Sequence, residues 1–281
     1  MADRSPAARQ VHQVSSSGNA LVKLFRRALA EGTTREGWLA VEGPLLLEEA
    51  IKATSEREGA GLVVQSVLVS NAAMRRFEGL VDRLPSEAEV TEIPDRVFAQ
   101  IAQTETPQGI AALVELPGYD LDAILARRDA LLVIACGVQD PGNLGTIMRS
   151  LQALGGSALV TLRATVSPYN PKVVRSSAGA IFSLPVFRGL EAGGLAARLR
   201  AAGVAIAAAD RHAKHSLTEV DLRGQVAFLI GREAAGLPVE LARKADLQLS
   251  IPIRAGMDSL NAATAAGIFL YEAARQRGFS Y

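Results

Sequence analysis

The sequence predicts an α/β fold, a mostly parallel sheet flanked by helices with a smaller α/β unit ahead of it. Three observations carry this expectation. From Leu131 onward, short aliphatic and β-branched runs alternate with stretches of helical periodicity, the pattern of strand–crossover–strand units. Near the C-terminus, the strands Phe228 to Ile230 and Leu247 to Ile251 run straight into loops that carry Gly231, Gly236, Pro252 and Gly256. Strand exits are where such sheets bind ligands, because backbone amides and helix N-termini converge there. Finally, 281 residues exceed the usual size of one compact core, which argues for two domains.

In chain order, residues 1 to 20 are polar, with clustered Ser and Gly, and are expected to form a flexible lead-in. Residues 21 to 118 read as the first domain. Leu21 to Ala30 has helical periodicity, Trp38 to Val41 is a strand, and Pro44 suits the first position of a helix that continues through Ala53. Val63 to Val69 alternates as a strand does. A helix over Asn71 to Leu80, a strand over Glu89 to Ile93, a short helix over Pro94 to Gln103 and a strand within Thr106 to Leu116 complete the unit. Residues 119 to 281 form the second domain. Its expected strands are Leu131 to Cys136, Ala158 to Leu162, Leu184 to Phe187, Val204 to Ala208 and the two already described. Its expected helices are Leu144 to Leu154, Lys172 to Ile181 and Gly194 to Ala202. The segment after Asn261 is small and apolar, so a helix there is expected to be buried on all sides.

Composition is that of a soluble globular protein, with 49% hydrophobic and 21% charged residues. A net charge of +1 does not by itself imply a polyanionic partner. The first 35 residues nevertheless form a local basic arm, in which Arg4, Arg9, Lys23, Arg26, Arg27 and Arg35 face only Asp3 and Glu31. The single Cys136 excludes a disulfide framework and, lying in an apolar strand, reads as buried packing. No charged-then-apolar segment opens the sequence, and uncharged runs such as Ser259 to Tyr271 are too short for a bilayer. The expected setting is cytoplasmic, without membrane contact.

Four constellations could carry chemistry. In Asp140 to Arg149, Pro141-Gly142 makes a turn at a strand exit and Asn143 is placed to cap the helix beginning at Leu144. Arg149 lies off the buried stripe of that helix. Spacing alone permits a capped helix with a solvated arginine, and the full dinucleotide-binding fingerprint is absent. In Gly231-Arg232-Glu233, the glycine admits close approach of a ligand and Glu233 would stabilise a helix N-terminus or bond a ligand. Ser259-Leu260-Asn261 is either a helix cap or a binding turn. Lys172, Arg175 and Ser177 suit phosphate oxygens, or simply a solvated helix face. His212 and His215 lack the carboxylate or thiolate set of a metal site, so none is expected.

Together and in this order, these blocks resemble the SpoU/TrmH family of SPOUT-class RNA 2′-O-methyltransferases. The resemblance rests on DPGNLGTIMRS (Asp140 to Ser150), VRSSAGAIFSLPV (Val174 to Val186), LIGREAAGLP (Leu229 to Pro238) and IPIRAGMDSLNAATAAGIFLYE (Ile251 to Glu272). VEGPLLLEEAI (Val41 to Ile51) and TPQGIAALVEL (Thr106 to Leu116) are similar to the family's substrate-binding domain, a small ribosomal-protein-like α/β fold. Arg232 departs from the family, standing where Asn, Ser or Thr is frequent, and Ala262-Ala263 replaces a bulkier pair. The resemblance implies a C-terminal trefoil knot, a homodimer paired through it, and S-adenosylmethionine as cofactor. It implies cofactor contacts at Gly231, Glu233, Ile251, Ser259, Leu260 and Asn261, while Lys172, Arg175 and Ser177 stand as RNA-binding candidates on their chemistry alone. It also places Asn143 and Arg149 in the chemistry. The implied reaction is methylation of a ribose 2′-hydroxyl, in ribosomal RNA first and transfer RNA second. A non-catalytic ribosome-assembly factor on the same fold is the alternative from another class.

Overall fold

The structure is a computed structural model that describes residues 9–56, 61–232, 237, 239–254, 257 and 259–280. Two compact units divide the chain, Met1–Gly118 and Tyr119–Tyr281.

The first unit runs β1 (Val11–Gln13), α1 (Ala20–Glu31), β2 (Leu39–Glu42), α2 (Pro44–Glu56), β3 (Val63–Ser70), α3 (Asn71–Arg76), α4 (Glu78–Val81), β4 (Glu89–Ile93), α5 (Asp95–Ala99) and β5 (Ile110–Glu115). Its sheet has the order β1-β4-β3-β5-β2, with β5 antiparallel to both of its neighbours. Phe25 and Leu29 of α1 and Phe98 of α5 pack on Leu68, Ile93 and Leu113 to form a core. Two expectations are corrected here. The lead-in through residue 20 contains an ordered strand, because Val11 pairs with Val90 and Arg9 donates to the carbonyls of Leu84, Pro85 and Ala88 at 2.5–2.9 Å. The helix expected over Asn71 to Leu80 is broken at Phe77, whose φ of −117° leaves the helical region while its ring lies under Arg76.

The second unit runs α6 (Leu121–Leu125), β6 (Leu131–Cys136), α7 (Pro141–Ala153), β7 (Ala158–Leu162), α8 (Pro171–Ser176), β8 (Val186–Leu190), α9 (Ala192–Ala201), β9 (Ala205–Ala209), β10 (His215–Ser216), β11 (Val226–Gly231), α10 (Val239–Arg243), β12 (Leu247–Ser250) and α11 (Ala262–Gln276). All seven strands are parallel, in the order β10-β12-β9-β11-β6-β7-β8. Parallel sheets are covered on both faces, which is why β6 is buried along its whole length and shows no polar alternation. On one face Leu132, Ile134 and Cys136 meet Leu121, Leu195, Leu199 and Leu241. On the other, Phe228 stacks against Phe269 of α11 at 5.1 Å between ring centroids, and α7 packs between α8 and α11.

Three further expectations change. The helix expected over Lys172 to Ile181 is α8 followed by a 3-10 turn at Ala180–Phe182, separated by Ala178 and Gly179 at φ 49° and 91°. The segment after Asn261 is helical but not buried all round, since Thr264 and Tyr271 face outward from α11. The helix expected from Leu144 begins three residues earlier, with Asp140 rather than Asn143 as its cap. Pro141 has no N–H to satisfy and its φ is preset for a first helical position, so it opens α7. Among the described residues, no helix is long and apolar enough to cross a membrane.

Gly145 is where α7 meets α8. A Cβ there would come within 2.7 Å of both the Val173 carbonyl and Ser176 Cβ, and Ser176 Oγ donates across the contact to the Pro141 carbonyl at 3.1 Å. Gly145→Ala must push the two helices apart. It is expected to cost about 1–3 kcal/mol, read as a lowered urea midpoint for the second unit's transition.

Candidate active site

Because β9, β11 and β12 are parallel neighbours, their exits lie side by side, and a cavity of about 700 Å³ opens there. Ile230, Leu249, Leu260 and Phe269 give it apolar walls. Its polar groups include Asp210, Arg211 and His212 from the exit of β9 and Arg232 from the exit of β11. Asp210 Oδ1 accepts from the backbone N–H of His212 at 2.9 Å, which fixes that turn. The volume and the mixed lining suit a nucleoside-sized cofactor. Of the residues implied for cofactor binding, Gly231, Ile251, Ser259 and Leu260 line this cavity. Glu233 lies outside the described residues.

Asn261 ties the cavity to the rest of the site. It caps α11, its Oδ1 accepting from the N–H groups of Ala263 at 2.9 Å and Thr264 at 3.2 Å. Its Nδ2 donates to Asn143 Oδ1 at 2.8 Å. Asn143 is available for that bond because Asp140 has taken the cap of α7, accepting from the backbone N–H of Asn143 at 2.7 Å. One amide side chain thus satisfies the start of α11 and joins it to the start of α7.

The remaining candidates lie apart from the cavity. Arg149 is exposed on α7 and is not among the cavity-lining residues; six residues beyond Asn143 it stands about 9 Å further along the helix axis. Lys172 is exposed and Arg175 half-buried on α8. Ser177 is withdrawn as an RNA contact, because it is fully buried and its hydroxyl donates to the Val174 carbonyl at 2.8 Å. Cys136 is likewise unsuited to chemistry: burial pushes its thiol up to about 12 and Sγ donates to the Ile134 carbonyl at 3.4 Å. Asp210, Arg211 and Arg232 were not singled out as binding residues by the sequence. Their one signal is position at the ends of strands, and it becomes readable only once the strand order is known.

A parallel sheet covered on both faces, with its cavity at the strand exits beside a helix N-terminus, defines a nucleotide- or nucleoside-binding α/β protein. The chain belongs to the SpoU rRNA methylase family, which matches residues 130–271, and an MRM3-like substrate-binding domain matches residues 27–112. It is 32% identical to the 23S rRNA (uridine(2479)-2′-O)-methyltransferase of Streptomyces viridochromogenes, over 98% of this chain and 95% of that protein. It is 31% identical to the 23S rRNA (guanosine(2553)-2′-O)-methyltransferase RlmP of Bacillus subtilis, over 92% and 98%. Among solved structures, it is similar to the AdoMet-bound rRNA methyltransferase of Sinorhizobium meliloti, with a TM-score of 0.80 at 30% identity over 94% of this chain and 98% of that one.

Asn261→Ser separates the two jobs of this residue. Serine caps a helix about as well as asparagine, so the stability loss is expected to be confined to the Asn143 bond, about 0.5–1.5 kcal/mol. The shorter side chain does not reach Asn143, and methyl-transfer turnover is expected to fall. Chemical denaturation and initial rates on the same preparation check both halves.

Proposed function

We propose that this chain transfers the methyl group of S-adenosylmethionine to a ribose 2′-hydroxyl of ribosomal RNA. One observation carries the reading: the strand-exit cavity and the α7 segment that bears Asn143 and Arg149 are joined by the Asn261–Asn143 hydrogen bond. Gly231, Ile251 and Leu260 would hold the cofactor through the loop edges, with Ser259 and Asp210 supplying polar contacts. When bound, the cofactor supplies a methyl group on a sulfonium centre. The protein's task is then to bring the hydroxyl in line with that methyl and to manage its proton and developing charge.

Asn143 orients the ribose, and Arg149 clamps an adjacent phosphate and stabilises the developing alkoxide. A guanidinium with a pKa above about 12 is a poor base, and a phosphate beside it makes it poorer, so the arginine acts as a charge and not as a proton acceptor. Homodimer formation through the C-terminal region would complete the site, with the outward face of α11, including the half-exposed Tyr271, as its contact. The threading of a trefoil knot accords with β12 inserting between β10 and β9 instead of joining the sheet at an edge. The first unit would grip folded RNA, and the setting would be cytoplasmic.

Arg149→Ala is expected to leave S-adenosylmethionine affinity unchanged by calorimetry while lowering turnover on the order of 10²–10³. Unchanged turnover would remove Arg149 from the chemistry. Deleting residues 1–118 is expected to abolish binding of a 23S rRNA transcript and spare the cofactor titration. A truncated chain that still binds the transcript would assign RNA recognition to the second unit.

A further inference from the structure

Arg232 is a charged group that reaches from the cofactor cavity toward the start of α7. It lines the cavity at the exit of β11, and its Nη2 donates to Gln139 Oε1 at 3.2 Å, at the exit of β6. Its aliphatic stem lies on Gly137, where a Cβ would come within 2.9 Å of Arg232 Cδ and 3.1 Å of Cγ. Gly137 adopts φ 76°, so both its backbone and the space above it favour glycine. The stem of the arginine is therefore seated on Gly137, while its head group remains exposed.

Three features of that seat point to a ligand. The tether is a neutral amide, and among the described residues no carboxylate forms an ion pair with Arg232. Gln139 takes one N–H of the five a guanidinium carries, and Arg232 is exposed, so the remaining fork faces solvent. Gln139 also directly precedes Asp140, the cap of the helix that carries Asn143. The tether thus draws the head group out of the cavity toward α7, while Arg211 and His212 stay at the opposite, β9 side.

We propose that Arg232 binds a backbone phosphate of the substrate RNA beside the nucleotide to be methylated, acting as a substrate-positioning residue distinct from Arg149. The proposal rests on the function proposed above. A fork of this geometry matches a phosphate with two parallel N–H···O bonds, and a charge at the cavity mouth fixes where the strand enters.

The test compares full-length wild type with Arg232→Ala, Arg232→Lys and Gly137→Ala. It reads filter binding of an unmodified 23S rRNA transcript at several salt concentrations, steady-state methylation, and calorimetric titration with S-adenosylmethionine. Arg232→Ala is expected to weaken transcript binding and raise its KM by about tenfold or more, with kcat within a few-fold of wild type and cofactor affinity unchanged. The log–log salt slope is expected to flatten by about 0.7–0.9, the loss of one phosphate contact, in the alanine variant and not in the lysine variant. Gly137→Ala, which displaces the arginine stem, is expected to follow the alanine variant. An unaltered salt slope and KM in a folded Arg232→Ala protein overturns the proposal. So does a weakened cofactor titration with RNA affinity intact, which would assign the guanidinium to the cofactor's carboxylate. A wild type that binds the transcript without methylating it would defeat the proposed function, yet the binding and salt measurements would still decide the role of Arg232.

Discussion

The placement of β11 between β6 and β9 sets the geometry of everything else in the second unit. Six register pairs, Val226↔Leu131 through Gly231↔Cys136, lock it on one side, and four more lock it on the other. Since all three strands run the same way, their exits fall at one edge, and the Gly137, Asp210 and Gly231 loops become neighbours. A slip by one residue would turn Phe228 away from Phe269 and carry the opposite set of side chains into the wrong layer. Both faces are buried, so that slip is disfavoured on two sides at once. The cavity is therefore a consequence of register, and its chemistry is that of whichever residues terminate the strands.

Electrostatics at that edge follow from the same placement. The N-termini of α7 and α11 meet there, each with the positive end of its peptide dipoles outward. Asp140 and Asn261 satisfy the first amides, and only Asp140 adds a negative charge. Arg149, Lys172 and Arg232 are exposed on the same second unit. A chain with a net charge of +1 can thus still offer exposed cations to a polyanion, because affinity for phosphates depends on the distribution of charge more than on its sum.

Much of this fold was legible in the sequence, and the reasons are physical. Strands buried on both faces must be continuous apolar runs, so Leu131 to Cys136 and Ala158 to Leu162 announced themselves. Breaks that depend on one residue's backbone did not: Ala178 sits at φ 49° with no sequence mark, although Gly179 beside it hinted at the end of α8. The cap of α7 was misread because Asp140 and Asn143 are both good caps, and only the fixed φ of Pro141 decides between them. The candidate site divides in the same way. Gly231 ends β11 and Ile251 directly follows β12, while Ser259 and Leu260 run into the cap of α11, so a strand end or a helix start marks each of them in the sequence. Asp210, Arg211 and Arg232 were not, since their importance depends on which strands are neighbours. Strand order is set by tertiary packing, and no local pattern encodes it.

The cavity and the exposed face of α7 are separate surfaces, and this separation shapes the proposed chemistry. One surface would hold the methyl donor and the other the acceptor. In-line transfer requires the two to be aligned closely, and a displacement of about 1 Å can cost on the order of 10² in rate. The alignment is then a property of helix packing more than of any single side chain. Asn261 fixes α11 to α7 at their N-termini, and the two helices stay packed further along. Gly145 seats α7 on α8 from the other side. The close contact at Gly145 leaves no slack between α7 and α8, so a shift of the acceptor-bearing helix toward α8 is opposed. On this view Gly145 of the DPGNLGTIMRS segment matters to catalysis through the position it imposes, although it offers no reactive group.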